Sequence, residues 1–213
     1  MGFFDKIFKS ESSEDYSDWL LNAVDVLNSH FKKQESLNSV SGLLAFTSMA
    51  TFKSGSRILT YKPSSTENIT DILCCLRGFY QSYWWLKLLE DNDEKKVEDV
   101  FFWFDHHITT LIDSLFEQSQ SAKKLFSPAF SDYYRKFFFA VDKAGYIDSR
   151  HISNSPNDNT AALFLCRIGK IPDDYSVVQN IKDIINDSLN DSRLQKHLNS
   201  FDINKVIDIP DQI

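Results

Sequence analysis

Between Ile69 and Phe116 two apolar stretches follow each other almost without a break, one containing GFYQSYWWLKLL and the next VEDVFFWFDHHITTLIDSLF. In both, apolar residues recur three and four apart, the spacing of one side of a helix. Ile69, Ile72, Leu73, Leu76, Tyr80 and Tyr83 mark a face over residues 67–90. Val97, Val100, Phe101, Phe104, Ile108, Leu111 and Leu115 mark one over 93–118. The large rings overrun these faces: Phe79 to Trp85 and Phe101 to Phe104 reach more than half-way round their helices. A helix apolar on so many sides must be surrounded by other helices or covered by a partner. The first is favoured, because the rest of the chain supplies enough apolar faces.

Tyr16, Trp19, Leu20, Ala23, Leu27 and Phe31 predict a helix over 14–33, and Leu37, Val40, Leu43, Leu44, Phe46, Thr47 and Ala50 one over 37–52. Ser127-Pro128 is a helix start, followed by Phe130, Tyr134, Phe137, Phe138 and Val141 and stopped at Gly145. An apolar helix over 158–168 ends at Gly169. Pro172-Asp173-Asp174 opens a helix over 173–189 with acids at its positive end, and Leu194, Leu198 and Phe201 indicate a short last helix. Ser64 with Glu67 matches a capping box, and Asn92 caps the helix after it. Residues 53–66 break the pattern: Gly55, Pro63 and a Ser/Thr cluster flank RILTY, which reads as a short strand or extended segment at 56–62. With 6 Gly and 5 Pro in 213 residues, little else interrupts helices. The chain therefore reads as all-α, a single irregular multi-helix domain, orthogonal or bundle-like, of about seven to nine helices. Residues 1–13 form an amphipathic, flexible N-terminal segment, 14–202 the helical domain, and 203–213 an extended or frayed C-terminal tail.

A net charge of −7 repels phosphate backbones and anionic lipid, which disfavours nucleic acid and favours, at most, a basic partner. Cys74, Cys75 and Cys166 are an odd set, two of them adjacent on an apolar helix. That is no disulfide framework, and buried, reduced thiols in a cytoplasmic protein are expected. MGFFDKIFKS carries neither a secretory signal nor, with Lys6 where Ser or Thr is wanted, a myristoylation motif. No transmembrane segment is expected.

Asp105-His106-His107 is the acid–histidine cluster of the sequence. Imidazole and carboxylate together can hold a metal or pass a proton. Adjacent helical residues point about 100° apart, however, and the spacings that put two ligands on one face are absent. His107 belongs near the Phe104/Leu111 face and His106 nearer the polar edge, so hydrogen-bonded histidines at the margin of a core are the favoured reading. Asp142 to Asp148 has the glycine and isoleucine of a calcium loop, but the aligned first and twelfth positions are Ala140 and His151, where carboxylates are required. Acids cluster at Glu90-Asp91-Asn92-Asp93-Glu94 and through Asp173, Asp174, Asp183, Asp187 and Asp191. They are either a steering surface for a basic partner or solvated helix starts and outer faces. No Walker loop, GxGxxG, GxSxG, HExxH or CxxC occurs.

No catalytic residue, cofactor or metal is expected on this basis. The first functional reading is a non-enzymatic, acidic, cytoplasmic helical protein acting through protein–protein binding; an immunity- or antitoxin-like inhibitor of a basic partner is its concrete form. The alternative is a helical enzyme or small-ligand-binding protein with a pocket between helices 67–90 and 93–118. There Asp105, His106 and His107 would supply polar groups and Trp84, Trp85 and Trp103 the walls. A third reading, peripheral membrane contact through residues 3–8, rests on one short turn bearing Phe3, Phe4, Ile7 and Phe8.

Overall fold

A computed structural model describes residues 40–63, 65–115 and 160–206. The helices expected over 14–33 and after Ser127-Pro128 lie outside the described residues. Within them the chain is helical and no strand occurs. Helix α1 spans Val40–Ile58, α2 Thr66–Leu89, α3 Glu94–Leu115, α4 Thr160–Gly169, α5 Tyr175–Leu189 and α6 Ser192–Ser200.

Helix α2 is the centre. From Asn68 to Trp85 every residue except Asp71 is buried, including Cys74, Cys75 and the whole run Phe79 to Trp85. The ring excess of this helix is thus explained by neighbours on all sides: α1, α3 and α4 all pack against it. Two glycines permit the close approaches. A Cβ on Gly55 of α1 would collide with the Leu73 side chain, and one on Gly169 of α4 would lie 2.6 Å from Ile72 Cδ1. Ile72 and Leu73 are adjacent, hence about 100° apart around α2. Helices α1 and α4 therefore press on different sides of the same turn.

The stretch expected to be extended at 56–62 is helical instead. Helix α1 runs through to Ile58, and Leu59–Tyr61 continue as a 3-10 turn that ends at Lys62 in the left-handed region (φ 54°). Gly55 lies inside the helix because α2 needs the space; Lys53 and Arg57, four apart, meet Asp191, just past the end of α5, and Asp187 of α5 at 3.3 and 2.7 Å. The pairing of 53 with 191 and 57 with 187 sets α1 and α5 antiparallel.

The caps differ in detail from the sequence reading. Ser65, not Ser64, caps α2: its Oγ accepts from the Asn68 amide at 3.3 Å and donates to Asn68 Oδ1 at 2.8 Å. Asn68 Nδ2 in turn donates to the Ile168 carbonyl at 2.9 Å, a group the end of α4 would otherwise leave open. Asn92 serves the end of α2, donating to the Leu88 carbonyl at 2.8 Å, while Asp93 accepts from the Lys95 amide at the start of α3. Asp174 caps α5 as its sequence suggests, accepting from the Val177 amide and the Ser176 hydroxyl. At the C-terminal side Ile203–Lys205 form a 3-10 turn that seats Ile203 in the core beside α3, where the tail was expected to be extended.

Candidate functional site

Two places combine polar chemistry with rings. The first is a buried chain of hydroxyls that joins α1, α2 and α5. Hydroxyl-bearing residues line the inner side of α1: Thr47, Thr51 and Ser54 are all buried. Thr47 and Thr51 donate to the carbonyls one turn back, at 2.9 and 2.8 Å, so their burial is satisfied within the helix. Ser54 reaches across instead. Its Oγ lies 2.5 Å from Tyr80 Oη and 2.7 Å from Ser188 Oγ. Ser188 Oγ donates its one proton to the Ile184 carbonyl at 3.2 Å. It must therefore accept from Ser54, and Ser54 must accept from Tyr80, because a hydroxyl has a single proton to give. The order Tyr80 to Ser54 to Ser188 to Ile184 is fixed by that count.

This arrangement cannot act as a base or nucleophile near neutral pH. Burial pushes the Tyr80 phenol up to about 12, with the neighbouring Ser54 and Ser188 hydroxyls opposing the shift, and all three side chains are closed off from water. The hydroxyl chain is a structural clasp. Sequence reasoning missed it, since its members stand 26 and 134 residues apart and each looks like an ordinary helix residue.

The second place is the outer edge of α3. Val97, Val100, Phe101 and Phe104 are buried, as their spacing requires, and the Phe101 ring meets Trp85 of α2 at 5.0 Å between centroids. Phe102 points the other way and is 67% exposed. Trp103, half-buried, meets the Phe102 ring edge-on at 5.6 Å and the His106 ring edge-on at 5.2 Å. His106 is exposed, at the polar edge assigned to it, and Glu98, one turn before Phe102, is exposed too. Asp105 and His107 belong to α3, but their side chains lie outside the described residues.

Four of the six residues of the expected pocket have described side chains, and they fall in two groups. Trp84 and Trp85 are buried in the core, while Trp103 and His106 adjoin each other at the outer edge. Among the described residues no group of three or more His, Cys, Asp or Glu side chains could hold a metal ion. The three thiols are buried and form no disulfide; burial raises the Cys75 thiol well above its ordinary value and the Cys166 thiol to about 11. Among the described residues no helix is long and apolar enough to cross a membrane. No family model, curated protein or solved structure matches the chain.

Proposed function

We propose that this protein acts by binding another protein, a basic one, and not by catalysis, an immunity- or antitoxin-like inhibitor in the cytoplasm being the concrete form. The observation that carries the reading is the division of the aromatic residues. Those of α2 are used up in the core, whereas α3 turns a phenylalanine outward among acids, at a cost in exposed apolar surface that a binding function would explain. The net charge of −7 favours encounter with a positive partner. The buried hydroxyls of Ser54, Tyr80 and Ser188 are engaged with one another. The alternative is a ligand pocket beside His106 and His107, for which the edge-on contact of Trp103 with His106 is the observation in favour.

The test uses the full chain as bait. Captured proteins are identified, purified and recombined with it, and association rates are followed by stopped flow from low to high salt. The expected result is a basic partner whose association rate falls at least tenfold as salt screens the long-range attraction. A partner with a salt-independent rate, or the absence of any basic partner, contradicts the reading. A small-molecule screen that raised the melting temperature of the wild type but not of His107→Ala would favour the alternative.

A further inference from the structure

We infer that the basic partner docks on the outer edge of α3, centred on Phe102, and that this edge receives a cationic side chain, a guanidinium in preference to an ammonium. The inference rests on the protein-binding reading and names its surface. Phe101 and Phe104 already fill the inner face of α3, so the Phe102 ring adds nothing to the core that its neighbours do not supply. Residues four apart on a helix share a side. Glu98 thus stands one turn before the ring and His106 one turn after it, both exposed. The edge-on contacts of Trp103 with Phe102 and with His106 give the exposed ring a fixed flank.

An exposed ring attracts a cation to its face, and a carboxylate beside it adds charge. A guanidinium is planar, stacks on rings and engages a carboxylate with two parallel donors, whereas an ammonium offers a strongly hydrated point charge. Charge complementarity also separates the occupants. A second copy seated on this edge through a two-fold axis would bring Glu98 and Asp99 of both chains together, in a molecule that already carries −7. An anionic lipid surface would meet the same carboxylates. Lys95, exposed at the beginning of the edge, offsets these acids only in part. A basic protein segment is the occupant for which ring and acids both contribute.

The experiment titrates the full chain, isotope-labelled, with nona-arginine, nona-lysine and nona-glutamate peptides while amide shifts are followed by NMR. Nona-arginine should shift Glu98, Phe102 and His106 and bind at least threefold tighter than nona-lysine, with no binding by nona-glutamate. Phe102→Ala should weaken nona-arginine at least fivefold and Glu98→Gln at least twofold, both variants keeping the wild-type melting temperature. Equal affinities for the two cationic peptides, unchanged binding by Phe102→Ala, shifts centred on another surface, or no binding would each overturn the inference. So would a dimer in sedimentation that Phe102→Ala dissolves. A captured basic partner that is indifferent to Phe102→Ala would overturn this surface and leave the protein-binding reading intact.

Discussion

At the scale of single residues, the end of α4 shows two neighbours with opposite requirements. Lys170 holds the left-handed position (φ 50°), with its amide on the Arg167 carbonyl at 3.3 Å and the Ile171 amide on the Cys166 carbonyl at 2.9 Å. This is the double hydrogen bond in which glycine is usual at the left-handed residue. The glycine stands one position earlier because Gly169, not Lys170, faces Ile72. Lys170→Gly should therefore raise stability by about 1 kcal/mol in urea unfolding, by relieving the Cβ penalty. Gly169→Ala should lower it by about 1–3 kcal/mol through overpacking against α2. In the hydroxyl chain, Ser54→Ala leaves the buried Tyr80 donor without its acceptor and should cost about 1–3 kcal/mol. Tyr80 also links stability to pH. Its phenol ionises near 10 in the unfolded chain and only at about 12 in the folded one, so its contribution is complete below pH 10 and is lost as pH rises toward 12. Urea-derived stability of the wild type should fall over that window by an amount on the order of 3 kcal/mol, on top of a fall that begins near pH 9 through Cys75 and Cys166, and Tyr80→Phe should make the part above pH 10 shallower.

At the scale of elements, α1 shows where sequence reading succeeds and where it stops. Its first half was legible, because Leu43, Thr47 and Ala50 keep helical spacing and are buried. Its second half was not. Lys53-Ser54-Gly55-Ser56 has the composition of a turn, and only the neighbours explain it: α2 needs the gap at Gly55, α5 supplies Ser188 and Asp187, and the turn after α5 supplies Asp191. The acids of α5 were legible as an outer face but not as partners of α1, since nothing local says which helix lies opposite. These ion pairs lie near the surface and should contribute little. Asp187→Asn should cost under about 1 kcal/mol, and 0.5 M salt should erase the difference from wild type in thermal unfolding. The acid clusters also lose part of their claim to be a steering surface: Asp93 and Asp174 accept from helix-start amides, and Glu90 meets Lys87 at 3.2 Å.

At the scale of the whole molecule, among the described residues α2 is buried between α1, α3 and α4. The burial of α2 on many sides was foreseeable from its rings, because those between Phe79 and Trp85 reach more than half-way round the helix and leave Gln81 and Ser82 as the polar members of the run. The exposure of Phe102 was not: spacing puts Phe101 and Phe104 on the inner face of α3, but the excess of rings read as surrounded by other helices, and Phe102 is 67% exposed instead. The named site residues with described side chains divide in the same way. His106 and Trp103 were named from sequence and adjoin each other, whereas Trp84 and Trp85 belong to the core. The claim on which the functional reading depends is this split between inward rings that hold the molecule together and an outward ring free to bind. Paired urea unfolding of Trp85→Ala and Phe102→Ala tests it most directly. Trp85→Ala should lose about 3–5 kcal/mol and Phe102→Ala no more than about 0.5 kcal/mol; comparable losses in the two variants, or a larger one for Phe102→Ala, would contradict it.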